Sequence, residues 1–111
     1  MPGPLHGVRV IDLTHALAGP YGTMLFTDLG ADVIKVEPSS GDVTRDLGPN
    51  LPDDTVRAFG GYFQSVNRGK RSIVLDLKSA EGADLLRELV RDADVLVENF
   101  SLDVMDRLGL S

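Results

Sequence analysis

The chain has 111 residues, enough for one ordinary domain that buries roughly two-thirds of its unfolded surface. A formal net charge of −6 argues against general nucleic-acid binding, and 42% hydrophobic with 25% charged residues is the balance of a soluble globular protein. No cysteine means no disulfide and no thiolate metal site, and no apolar stretch approaches a membrane span.

The opening MPGPLHGVRV has no basic start followed by an apolar run, so it does not read as a secretion signal, and a cytoplasmic setting is expected. Val8 to Leu13 reads as a strand whose nearly continuous aliphatic run suits burial on both faces, with Asp12 as its interruption. Gly19 to Leu29 reads as a helix. Pro20 fits its first turn, Met24, Leu25 and Leu29 give it an apolar face, and Gly30 ends it. Ala31 to Glu37 is a second strand. Strand, helix and strand in succession make a βαβ unit, the building block of a parallel nucleotide-binding sheet. The first turn, DLTHALAGPYG, nevertheless lacks the three-glycine dinucleotide fingerprint.

From Pro38 to Gly61 no period is sustained, and a connection this long usually has a task or is mobile. Order returns at Tyr62 and Phe63, followed by the basic knot Asn67 to Arg71. Ser72 to Asp76 is a third strand. Ser79 caps a helix from about Ala80 to Asp92, with Ala83, Leu86, Leu89 and Val90 inward. Ala93 to Glu98 is a fourth strand, and Val104 to Leu108 a short helix ended by Gly109. The fold class is therefore α/β, a Rossmann-like parallel sheet with flanking helices. Four strands and three helices are half of a doubly wound domain, so residues 1–111 read as the truncated first part of something longer.

In open α/β sheets, ligands bind beyond the carboxyl ends of the strands. Thr14, His15, Glu37, Lys78, Asn99 and Phe100 fall there. His15 can meet a substrate or pin a loop. Glu37 can bind ribose hydroxyls, but without the glycine fingerprint the better reading is a loop anchor paired with Arg45. The three cations of the basic knot, Arg71 among them, can hold phosphate or form a solvated loop. Lys78 and Arg107 are single cations near element ends. There is no nucleophile elbow, HExxH, P-loop or metal-ligand cluster, and no acid pairs convincingly with a base.

PLHGVRVIDLTHALAGPYGTMLFTDLGADVIKVE, then GDVTR, NRGKRSIVLDLKSAEG and ADVLVENFSLDVMDRLGL, together resemble the start of a family III CoA-transferase (the CaiB/BaiF family). The resemblance implies transfer of coenzyme A from an acyl-CoA to a carboxylic acid. It also implies a Rossmann-like large domain and an interlocked homodimer, with CoA as substrate and no covalently bound cofactor. An aspartate forms a mixed anhydride and then an aspartyl-CoA thioester. That aspartate is expected beyond Ser111, so the chain alone is expected to be inactive. By resemblance, Leu75 and Lys78 hold the adenosine and phosphate end of CoA, with Arg71 as a further candidate. Asn99 and Phe100 line the pantetheine path, Arg107 binds phosphate, and His15 borders the reaction centre. Two departures stand out: Leu17 replaces a glutamine and Pro38 an arginine found in some members, which points to an acyl group bulkier or less polar than that of formate or oxalate. The α-methylacyl-CoA racemase branch of the same family, an NAD-binding domain using Glu37, and a catalytically silent fragment are the alternatives. THALAGP resembles the transferase branch more.

Overall fold

The computed structural model describes residues 2–56 and 58–110; Met1, Arg57 and Ser111 lie outside the described residues. The elements in chain order are β1 (Arg9–Asp12), α1 (Ala18–Asp28), β2 (Asp32–Glu37) and a 3₁₀ turn (Val43–Asp46). α2 (Gly61–Asn67), β3 (Arg71–Val74), α3 (Ala80–Arg91), β4 (Val95–Val97) and α4 (Val104–Arg107) complete them. The four strands form one all-parallel sheet in the order β3-β2-β1-β4.

Alternation along the strands divides the core. Ile11 and Leu13 of the first strand and Ile34 and Val36 of the second pack with Leu86, Leu89 and Val90 of α3 and with Met105 of α4. On the opposite face Val10 and Val33 pack with Phe26 of α1. That second face changes character toward the carboxyl ends, where its next residues are Asp12, Lys35 and Glu37, all at most 3% exposed. The sheet is thus apolar on one side and carries a buried charged layer on the other.

Three expectations need correction. The stretch 38–61 contains the 3₁₀ turn and the start of α2, so the molecule has four helices among its described residues where three were expected. A single turn and a seven-residue helix are too short to show a period in sequence. The inward face of α1 is Pro20, Thr23 and Met24, whereas Leu25 and Leu29 are 42% and 44% exposed. Thr23 turns inward because its hydroxyl donates to the Asp12 carboxylate. Arg71 opens β3 at the amino edge of the sheet, where its guanidinium meets Asp32.

Ser79 does cap α3, accepting from the Gly82 amide, and Gly109, at φ +71°, follows α4. A Cβ on Gly82 would lie 1.9 Å from the Asp76 carbonyl oxygen. Backbone must therefore move to admit even alanine. Gly82→Ala is expected to cost about 1–3 kcal/mol in urea unfolding, with stability unchanged as the contrary result.

Candidate functional site

The strand order sets the place of the site. β1 leads to β2 and β3 on one side, and the chain then crosses back to lay β4 on the other side of β1. The neighbours diverge at the carboxyl ends of β1 and β4, where a crevice opens in sheets of this kind. A cleft of about 620 Å³ lies over the strand ends, walled by Thr14 and His15 after β1 and by Ser39 to Asp42 after β2. Leu75 to Lys78 after β3 and Phe100 after β4 complete it. A second groove of about 410 Å³ adjoins it, sharing Leu77, Lys78 and Leu108 and adding Ser79, Arg87 and Arg107.

The turn after β1 is held from several sides. The Thr14 amide donates to Asp12 Oδ1 (2.8 Å), and the Thr14 hydroxyl bonds the same oxygen. The Thr14 carbonyl accepts from Lys35 Nζ at 2.8 Å. One residue on, the Asn99 side chain accepts from the His15 amide (3.1 Å) and donates to the His15 carbonyl (3.0 Å). The His15 ring stacks on Phe100 with centroids 6.0 Å apart and 28° between planes. Ala16 then takes φ +68°, a left-handed conformation uncommon for alanine.

Three acid–base pairs gather near the strand ends, two of them buried on both sides and the third partly exposed at its arginine. Lys70 Nζ meets Asp12 Oδ2 at 2.8 Å, and Lys35 Nζ meets Asp42 Oδ2 at 2.9 Å, with all four side chains at most 2% exposed. Arg45 clasps Glu37 through two 2.7 Å bonds and lies over the Phe63 ring at 3.8 Å. Burial pushes the Asp12 and Asp42 carboxyls up. For Asp12, bonds from Lys70, Thr14 and Thr23 outweigh it; for Asp42, bonds from Thr44 and Lys35 do; both end below the usual range. Burial likewise raises Glu37, yet Arg45, Ser72 and the Asp42 amide hold it down to about 2. Lys70 is lowered by burial, partly restored by Asp12. Of the three, the sequence points only to the pairing of Glu37 with Arg45 and offers no partner for Asp12 or Lys35. Its available signal was the interruption of aliphatic strands by Asp12 and Lys35, which only a buried partner can tolerate.

Of the residues singled out by sequence, the cleft gathers His15, Leu75, Lys78 and Phe100. Arg107 joins Lys78 in the adjoining groove. Asn99 stands at the margin, its amide spent on the His15 backbone. Glu37 is anchored to Arg45 and Ser72, which leaves it unavailable to a ribose. The basic knot does not act as a unit. Arg68 pairs with Asp28, Lys70 is buried on Asp12, and Arg71 is on Asp32 away from the cleft.

Comparison with known proteins follows from this geometry. Residues 5–111 match the model of CoA-transferase family III. The chain is 53% identical over 105 residues to succinyl-CoA:mesaconate CoA-transferase of Haloarcula hispanica, covering 95% of this chain and 26% of that protein. It is 54% identical over 110 residues to acetyl-CoA:oxalate CoA-transferase of Acetobacter aceti, covering 98% and 27%. It therefore spans about a quarter of the length of these curated relatives. Among solved structures it resembles a CaiB/BaiF family protein from Brucella suis (TM-score 0.91, 47% identity, 100% of this chain and 29% of that one). It also resembles Rv3272 from Mycobacterium tuberculosis (TM-score 0.89, 38% identity, 99% and 30%).

Proposed function

The chain belongs to CoA-transferase family III, and on that premise we propose that it forms the CoA-cradling N-terminal part of an enzyme that moves coenzyme A from an acyl-CoA to a carboxylic acid. The observation that carries this reading is the gathering of His15, Leu75, Lys78 and Phe100 around one cleft, with Arg107 in the groove that opens from it. Lys78 and Arg107 hold the phosphates, since cations bind them through charge-assisted hydrogen bonds. Leu75 packs the adenosine end and Phe100 the pantetheine arm, which leads the thioester toward His15. Asn99 serves this path through the His15 backbone.

The transferring carboxylate is not part of this reading of the cleft. Glu37 and Asp42 are its deepest acids, and both are buried and bonded. The nucleophilic aspartate belongs to the remainder of the enzyme, which forms an interlocked homodimer in the cytoplasm. No helix among the described residues is long and apolar enough to cross a membrane. The acceptor is a dicarboxylic acid, as in the names of the relatives, and Leu17 suits an acyl group bulkier than formyl or oxalyl.

Titration calorimetry tests the cradle. CoA is expected to bind the chain, NAD is not, and Lys78→Ala or Arg107→Ala is expected to weaken CoA about tenfold, the loss of one charge-assisted contact. Both side chains are exposed, so neither change threatens the fold. Binding of NAD in place of CoA, or indifference to both substitutions, defeats the proposal. Incubated with an acyl-CoA and a carboxylic acid, the chain alone is expected to give no transfer; sustained turnover would show the nucleophile to lie within these residues.

A further inference from the structure

We propose that Lys35 is a positioning residue for the cleft, one buried ammonium that fixes both the wall after β1 and the wall after β2. The inference rests on the reading of the cleft as a CoA site. Lys35 is 1% exposed, in the middle of β2, where an aliphatic side chain would serve packing better. Its ammonium reaches the Thr14 carbonyl at 2.8 Å and Asp42 Oδ2 at 2.9 Å. Thr14 and Asp42 both line the cleft, one in the turn after β1 and the other in the loop after β2.

Each contact is relayed by further bonds. Asp42 Oδ1 accepts from the Thr44 amide (2.9 Å) and hydroxyl (2.7 Å), and the Asp42 amide donates to Glu37 Oε1 (2.8 Å). The loop wall therefore follows wherever Lys35 holds Asp42. On the other side, Asp12 takes the Thr14 amide while Lys35 takes the Thr14 carbonyl. That fixes the Thr14 residue at both ends and sets the departure of the chain into His15. Asn99, two residues beyond β4, then secures His15. Without the Lys35 bond, the Thr14 carbonyl has no ammonium to aim it, and the His15 ring loses its set angle to Phe100. Lys35 touches no substrate in this scheme. It acts through Thr14 and Asp42.

Lys35→Met combined with Asp42→Asn removes both charges together, so neither is stranded in the core. The expected result is a folded double variant with CoA affinity lowered at least tenfold by calorimetry, and with Thr14 amide and His15 ring resonances displaced in NMR spectra. Either change without the other, or neither, overturns the proposal, because a merely structural pair would leave the turn and the affinity as they were. If the double variant does not fold, the unmutated chain decides. The Lys35 ammonium resonance is expected to move on saturation with CoA, and a stationary resonance refutes the positioning role. An unmutated chain that does not bind CoA removes the cradle reading instead, and the Thr14 and His15 resonances of the double variant then decide the role of Lys35 by themselves.

Discussion

Lys70→Met is expected to lower the stability of the chain by about 3–5 kcal/mol, enough to unfold it or bring it close to unfolding at room temperature. The reason lies in what the substitution leaves behind. Asp12 is fully buried at the end of β1, one of the two inner strands, and its carboxylate is balanced by the Lys70 ammonium at 2.8 Å. Two threonine hydroxyls and one amide also donate to it, but none of them carries charge. Methionine fills much of the lysine volume, so the loss is electrostatic rather than a cavity. Lys70 also donates to the Pro20 carbonyl and to Asn67 Oδ1, which tie α1 to the end of α2. Those two acceptors lose their donor at the same time. Pairing Lys70→Met with Asp12→Asn removes the stranded charge and is expected to recover a substantial part of the loss. Urea unfolding of the two variants checks this: a single substitution costing under about 1 kcal/mol would show that the pair does not govern the fold.

How much of this was legible in the sequence depended on the range of the interaction. The strands with aliphatic runs, the capping Ser79 and the glycine after α4 are local signals, and the parallel sheet follows from their order. The pairing of Glu37 with Arg45 was also legible, because only eight residues separate the end of β2 from the 3₁₀ turn that follows it. The union of Asp12 with Lys70 was not. It spans the first strand and the residue before the third, and no spacing rule connects positions so far apart. The knot from Asn67 to Arg71 shows the converse failure. Its three cations look like a cluster in sequence, yet the turn between α2 and β3 sends Arg68 to Asp28, Lys70 inward and Arg71 to Asp32. The strand-end rule points to His15, Lys78 and Phe100, and all three line the cleft. It could not show that Asn99 spends its amide on the His15 backbone, since that depends on the angle between two loops.

Acidification is expected to destabilise the chain steeply between about pH 4.5 and 2, before general charge repulsion is considered. Glu37 carries the largest share. Its carboxyl sits near 4.5 when exposed and about 2 in the fold. A depressed carboxyl stabilises above its unfolded value, and that contribution disappears as the pH falls through the folded value. The difference amounts to about 3 kcal/mol for Glu37. Asp12 and Asp42 are shifted in the same direction by their lysine and threonine partners, and so add to the loss as the pH falls below the ordinary aspartate range. While one such group is protonated only in the unfolded chain, stability falls by up to about 1.4 kcal/mol per pH unit. The three losses add and draw on the same small reserve of an ordinary domain. Urea unfolding at pH 7, 5, 4 and 3 measures the slope, and Glu37→Gln separates its share. That variant is expected to be weaker at pH 7, because Arg45 keeps its place without a countercharge, and to show a shallower decline below pH 4.5. A stability that stays level from pH 7 to pH 3 would mean that these carboxylates are not held by their cations, and the buried charged layer beneath the cleft would have to be abandoned.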